Sequence, residues 1–147
     1  MSPFELDAMA ALLRQGRWLD ATSRGMAVIA LLWLVLDATL AAAPADTAVR
    51  ILLATTPVLA LMAGYCAART GFDADLLAAL ARETRATGAD AATTLDAALL
   101  QLGLIPARKR GRDWPTRWHG ARGWLRRQAM LLALQVLALA GALWCSA

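Results

Sequence analysis

The sequence predicts an all-α polytopic membrane protein with three transmembrane helices, a cytoplasmic helical hairpin and amphipathic interfacial helices. Three observations predict it. The 147 residues are 59% hydrophobic and only 18% charged, with mean hydropathy +0.49, which leaves too little polar surface for a soluble domain of this size. The apolar residues gather in three runs, 26–43, 48–68 and 128–146. At about 1.5 Å rise per residue these runs reach roughly 27–31 Å, the thickness of a bilayer core. The basic residues are also segregated. Of 15 Lys and Arg, three precede the first run, Arg50 alone separates the first two, eleven lie between the second and third, and none follows. The positive-inside rule then places the N-terminus and the long middle segment in the cytoplasm, with the short 44–48 turn and the C-terminus outside. Arginine and alanine dominate and lysine occurs once, a composition that suggests a GC-rich bacterial genome. The expected location is the bacterial inner membrane.

Residues 1–25 form an N-terminal amphipathic segment. Ser2 and Glu5 have capping-box spacing, and Pro3 sits at the tolerated first-turn position. Leu6, Met9, Ala10 and Leu13 share a helix face, and Trp18 suits the headgroup level. Glu5, Asp7 and Asp20 precede the first apolar run, so this start does not read as a secretory signal. The first span, 26–43, carries one acid, Asp37.

The second span, 48–68, contains Pro57, which predicts a bend eased by the Thr55 or Thr56 hydroxyl. Ala60, Gly64 and Ala68 follow at four-residue spacing and mark a face for close helix packing. Segment 72–105 reads as a cytoplasmic hairpin. Asp73 is expected to cap its first helix, Gly88 to end it and Asp90 to cap the second, with Leu76, Leu77 and Leu80 facing Leu95, Leu99 and Leu102. The two cysteines fall near opposite membrane faces, so no internal disulfide is expected.

Segment 107–127 then turns strongly basic, with eight Lys and Arg against one acid. Arg108, Lys109, Arg110, Arg112, Arg117, Arg122, Arg126 and Arg127 interleave with Trp114, Trp118 and Trp124. A basic, Trp-bearing helix that runs into a span is what an anionic-headgroup anchor needs, at about 1 kcal/mol per basic residue near the surface. The rival reading of such a segment, nucleic-acid binding, is not favoured because positive-inside placement already requires charge here. The third span is 128–146.

No catalytic constellation is visible. His119 is alone, no cysteine pair has ligand spacing, and there is no phosphate loop or nucleophile elbow, so neither cofactor nor metal is expected. Asp37 is the residue out of place. Counted from Met26 it lies about 16 Å into the span, beyond the midplane, where a charge costs about 2.5–3.5 kcal/mol. Arg50, Thr55 and Thr56 are its expected partners across the first two spans, with Gln135 a further polar group in the third. The reading that follows is a non-catalytic accessory, scaffold or regulatory subunit of a bacterial membrane complex. It would contact anionic lipid and a protein partner or further copies of itself. The alternative is a small transport or ion-coupled component, oligomeric, with Asp37 at a polar intramembrane seam.

Overall fold

Ser2 begins the first helix by local chemistry alone. In the computed structural model its hydroxyl accepts from Glu5 N at 3.2 Å while the Glu5 carboxylate accepts from Ser2 N at 2.8 Å. That second bond holds the Glu5 carboxyl below its usual range. The structure describes residues 2–40, 45–88, 90–103, 106, 111 and 113–146. Five helices follow in order: α1 Pro3–Arg14, α2 Gly16–Leu40, α3 Thr47–Thr87, α4 Ala91–Gln101 and α5 Trp114–Ser146, with no strand among the described residues. Three stretches are long and apolar enough to cross a membrane: Pro3–Leu40, Thr47–Thr87 and Trp114–Ser146. By length and composition these three helices suggest a membrane protein.

Helix boundaries depart from the sequence expectation in two places. The amphipathic start is only α1, and α2 begins at Gly16, so Trp18, Asp20, Ser23 and Arg24 belong to the helix that carries the first apolar run. Nothing between Gly16 and Leu40 breaks a helix: there is no proline, and Gly25 costs only about 1 kcal/mol relative to alanine. Likewise the second span and the first hairpin helix are one element. Asp73 lies in the interior of α3 and caps nothing; Gly71 before it stays helical, and no proline follows Pro57 to end the helix. α3 ends where Gly88 adopts φ +67° and its N–H bonds Thr84 O at 3.0 Å. Asp90 caps α4 by accepting from Thr93 N at 3.2 Å.

The chain divides into two compact units. The head unit joins 1–15 with Arg69–Trp124. Its core is Leu6, Ala10 and Leu13 of α1, Ala74, Leu77, Ala78, Leu80 and Ala81 of α3, and Ala91 and Leu95 of α4. Leu76 and Leu99 pack against it, whereas Leu102 stays exposed. Asp96 is buried, and its carboxylate accepts from Gly111 N at 2.8 Å and from Arg117 Nη2 at 2.6 Å. Gly111 has φ +74°, a conformation that side-chain-bearing residues rarely adopt. Arg85 pairs with Asp7 across α3 and α1.

The span unit comprises Gly16–Ala68 and Leu125–Ala147. Ala30, Val49, Leu53 and Ala142 form its apolar centre, with Trp33, Leu34, Leu52 and Leu139 around them. Its buried positions follow a three-and-four rhythm: Gly16, Asp20, Ser23, Ala27 and Ala30 on α2, and Val49, Leu53, Thr56, Ala60 and Ala63 on α3. Small residues at that rhythm let helix backbones approach closely. A Cβ on Gly141 would meet Leu52 Cδ1 at 3.3 Å, so α5 and α3 approach closely there and a larger residue would push on the Leu52 side chain.

Candidate functional site: the polar seam of the span unit

In a bilayer, polar side chains point at one another because lipid offers them nothing. The seam has three layers along α2. In the first, Gln128 of α5 donates from Nε2 to Gly16 O at 2.7 Å. Asp20, one turn on, pairs through Oδ2 with Arg24. The second layer is the best satisfied. Ser23 Oγ donates to Gln135 Oε1 at 2.7 Å, and Gln135 Nε2 donates to Ser23 O at 3.3 Å and Thr56 O at 3.0 Å. One glutamine thus joins α2, α3 and α5, and Ser23, Thr56 and Gln135 are all essentially inaccessible. The third layer is Asp37. Arg50 Nε donates to its Oδ2 at 2.8 Å and Ala45 N to its Oδ1 at 2.7 Å.

The level of Asp37 differs from the sequence estimate. It lies three residues before α2 ends at Leu40, and Arg50 lies three residues after α3 begins at Thr47. The ion pair therefore closes the α2–α3 connection and does not sit midway along a span. Between Arg50 and Arg69, α3 has 18 uncharged residues, about 27 Å. Arg50 marks one end of that stretch, and Asp37 shares its level. The estimate counted from Met26, but the helix starts ten residues earlier.

The other expected partners are dispersed. Thr55 is exposed and donates to Ile51 O at 2.8 Å; Thr56 donates to Leu52 O at 3.3 Å. Neither hydroxyl meets Asp37, and neither serves Leu53 O, the carbonyl that Pro57 leaves without its helical donor. Of the expected packing face, Ala60 is buried, Gly64 half-buried beneath Asp20 Oδ1, and Ala68 exposed, because the contact stripe turns through Ala63 and Cys66 instead. Cys66 is buried and Cys145 exposed, and no disulfide joins described residues.

The basic segment also divides. Arg108, Lys109, Arg110 and Arg112 lie outside the described residues. Arg122, Arg126 and Arg127 are exposed, as a headgroup contact requires. Arg117 is not available as an anchor: its side chain is 15% exposed and committed to Asp96. Trp114 and Trp118 pack on the head-unit core, and with Trp124 they line a cavity of about 260 Å³. The helical stripe that suggested a lipid-facing row is the same stripe that a core would use, and here much of it turns inward.

Sequence reasoning passed over Asp20, Ser23, Gln128 and Asp96. A signal for Ser23 and Gln128 was present. Gly16 and Ser23 are seven residues apart, as are Gln128 and Gln135, so two turns of α2 and two of α5 repeat the same polar contact. No group of metal-ligating side chains occurs among the described residues. Comparisons with protein-family models, with characterised proteins and with solved structures each return no match.

Proposed function

We propose that this chain is a non-catalytic accessory or scaffold subunit of a membrane complex, seated in a bacterial inner membrane with its N-terminus and head unit in the cytoplasm. The observation that carries the reading is Gln135. Its amide spends its hydrogen bonds on Ser23 and on the Thr56 carbonyl, joining three helices. Asp37 and Arg50 do the same at the connection. Polar groups used this way fix helices relative to one another, whereas a transport route needs polar groups left facing a path. Exposed Arg122, Arg126 and Arg127 add an attraction to anionic headgroups.

The rival, ion-coupled reading moves from Asp37 to Asp20. Its Oδ1 is buried without a hydrogen-bond partner, as is Gln128 Oε1. The experiment is recovery of associated proteins in mild detergent, compared for Asp37→Asn, Asp37→Leu and the unaltered chain. Assembly predicts stoichiometric co-purification, retained by Asn and reduced by Leu, since Asn keeps one acceptor oxygen for Arg50 or Ala45 and Leu keeps none. A chain that purifies alone, with Asp20→Asn abolishing ion flux in reconstituted vesicles, would overturn it.

A further inference from the structure

The head-unit cavity has a composition that the anchor reading leaves unexplained. Its walls are apolar, from Leu77 of α3, Leu95 of α4 and the three tryptophans of α5, and its volume of about 260 Å³ is below that of a drug-sized pocket. A headgroup fits such a volume; a whole lipid does not. Two charged side chains of opposite sign line it, Arg69 and Asp73, one helical turn apart on α3. At that spacing an Arg–Asp pair is within reach of closing on itself. Here no ion pair or hydrogen bond joins them, nor does either bond another described residue, so one cation and one anion both open onto the same space. The third charge in the wall, Arg117, is bound to Asp96 and adds no free cation.

Position along the chain says where the ligand comes from. Arg69 is the first charged residue after the 18 uncharged residues of α3, and Trp124 stands four residues before Gln128, where the last uncharged run begins. Both are residues of the interfacial level, where tryptophan and arginine meet headgroups. We propose that this cavity binds the headgroup of an ethanolamine phospholipid, with the phosphate on Arg69 and the ammonium on Asp73. An anionic headgroup would satisfy Arg69 and face the Asp73 carboxylate. A choline headgroup brings no N–H to give that carboxylate, and it would need open aromatic faces instead. Arg117 already lies over Trp114 at 6.0 Å and Arg122 over Trp118 at 5.9 Å. Burial pushes the Asp73 carboxyl up from its usual range, with Arg69 opposing, and an arriving ammonium would favour its ionised form. The site goes beyond the general attraction of a basic segment for anionic lipid, and it does not depend on which protein the chain joins.

The test titrates the full chain in detergent with dihexanoyl phosphatidylethanolamine, phosphatidylglycerol and phosphatidylcholine, reading tryptophan fluorescence. The ethanolamine lipid should bind at least tenfold tighter than the other two. Asp73→Asn should remove that preference while leaving circular dichroism unchanged, and Arg69→Gln should weaken all three lipids. Glycerophosphoethanolamine, which has the headgroup without the chains, should bind at least tenfold more weakly than the lipid. Three lipids within threefold of one another, tighter binding of phosphatidylglycerol, an Asp73→Asn chain that keeps the ethanolamine preference, or a water-soluble headgroup that binds as well as the lipid would each overturn the proposal.

Discussion

Gln135 has a larger structural claim than Asp37, although only the acid attracts attention in the sequence. A glutamine in an apolar run is cheaper to place than a charge, and its value appears only when three helices arrive at its amide. Polar contacts between spans are worth about 0.6–2 kcal/mol in measured cases. Gln135→Leu should therefore lower unfolding stability in detergent by about that amount, and Ser23→Ala by less, since the Ser23 carbonyl still accepts. Their double mutant should fall short of additivity, because both remove the 2.7 Å bond. Additive losses would show that the pair does not interact. Asp73 makes a different demand. Its pKa is raised, so the folded state holds a proton that the unfolded state has already released. Stability of the head unit therefore falls as pH rises from the unfolded value of 3.8 through the raised folded value, and is flat below 3.8 where both states are protonated. Arg69 and Arg117 are the cations in the same wall. Thermal unfolding against pH should show this slope in the unaltered chain and lose it in Asp73→Asn. An unchanged slope would assign it to other groups.

At the scale of elements, what the sequence displayed was apolar mass and what it hid was continuity. The three long apolar helices were legible because length and hydropathy are set by lipid thickness. The joins were not. A membrane boundary changes the solvent of a helix without ending its hydrogen bonds, so α3 and α5 continue without a break between their apolar and charged stretches. Asp73 resembled a cap because an aspartate after a glycine has the same letters inside a helix as at its start. Glycine sites separate the two situations. Gly71 is helical with nothing within 4 Å of a built Cβ, so Gly71→Ala should stabilise the protein by roughly 0.5–1 kcal/mol. Gly88 has equal room but φ +67°, so Gly88→Ala should destabilise it by about 1–2 kcal/mol. Melting temperatures of the two variants should move in opposite directions. Movement in the same direction would mean that α3 breaks before Gly88. Much the same ambiguity governed the tryptophans: period alone cannot tell a lipid-facing stripe from a core-facing one, and only the presence of α1 and α4 decided it.

At the scale of the whole molecule, the proposed orientation rests on the charges that flank the apolar runs. Eleven of the 15 basic residues occupy the segment between the second and third runs, and a segment that dense in arginine resists translocation. On that proposed orientation the opposite side is left with Arg50 as its one cation, which is paired with Asp37. Under that proposal the pair lets an arginine sit on the translocated side without opposing the rule, because its charge crosses accompanied by an acid. Single cysteines introduced into a Cys66→Ala, Cys145→Ser background test this arrangement. A membrane-impermeant maleimide applied to intact cells should modify cysteine at Asp46 and at Ala147, and should leave Thr87 and Gly111 unmodified until the membrane is permeabilised. Separating Asp37 from Arg50 should then matter for insertion. With Asp37→Leu the lone arginine must cross without its carboxylate, so labelling at Asp46 should become partial, while Asp37→Leu combined with Arg50→Leu should restore it. Labelling of Gly111 from outside would reverse the orientation altogether. Full labelling at Asp46 in the Asp37→Leu chain would confine the ion pair to holding α2 and α3 together after insertion.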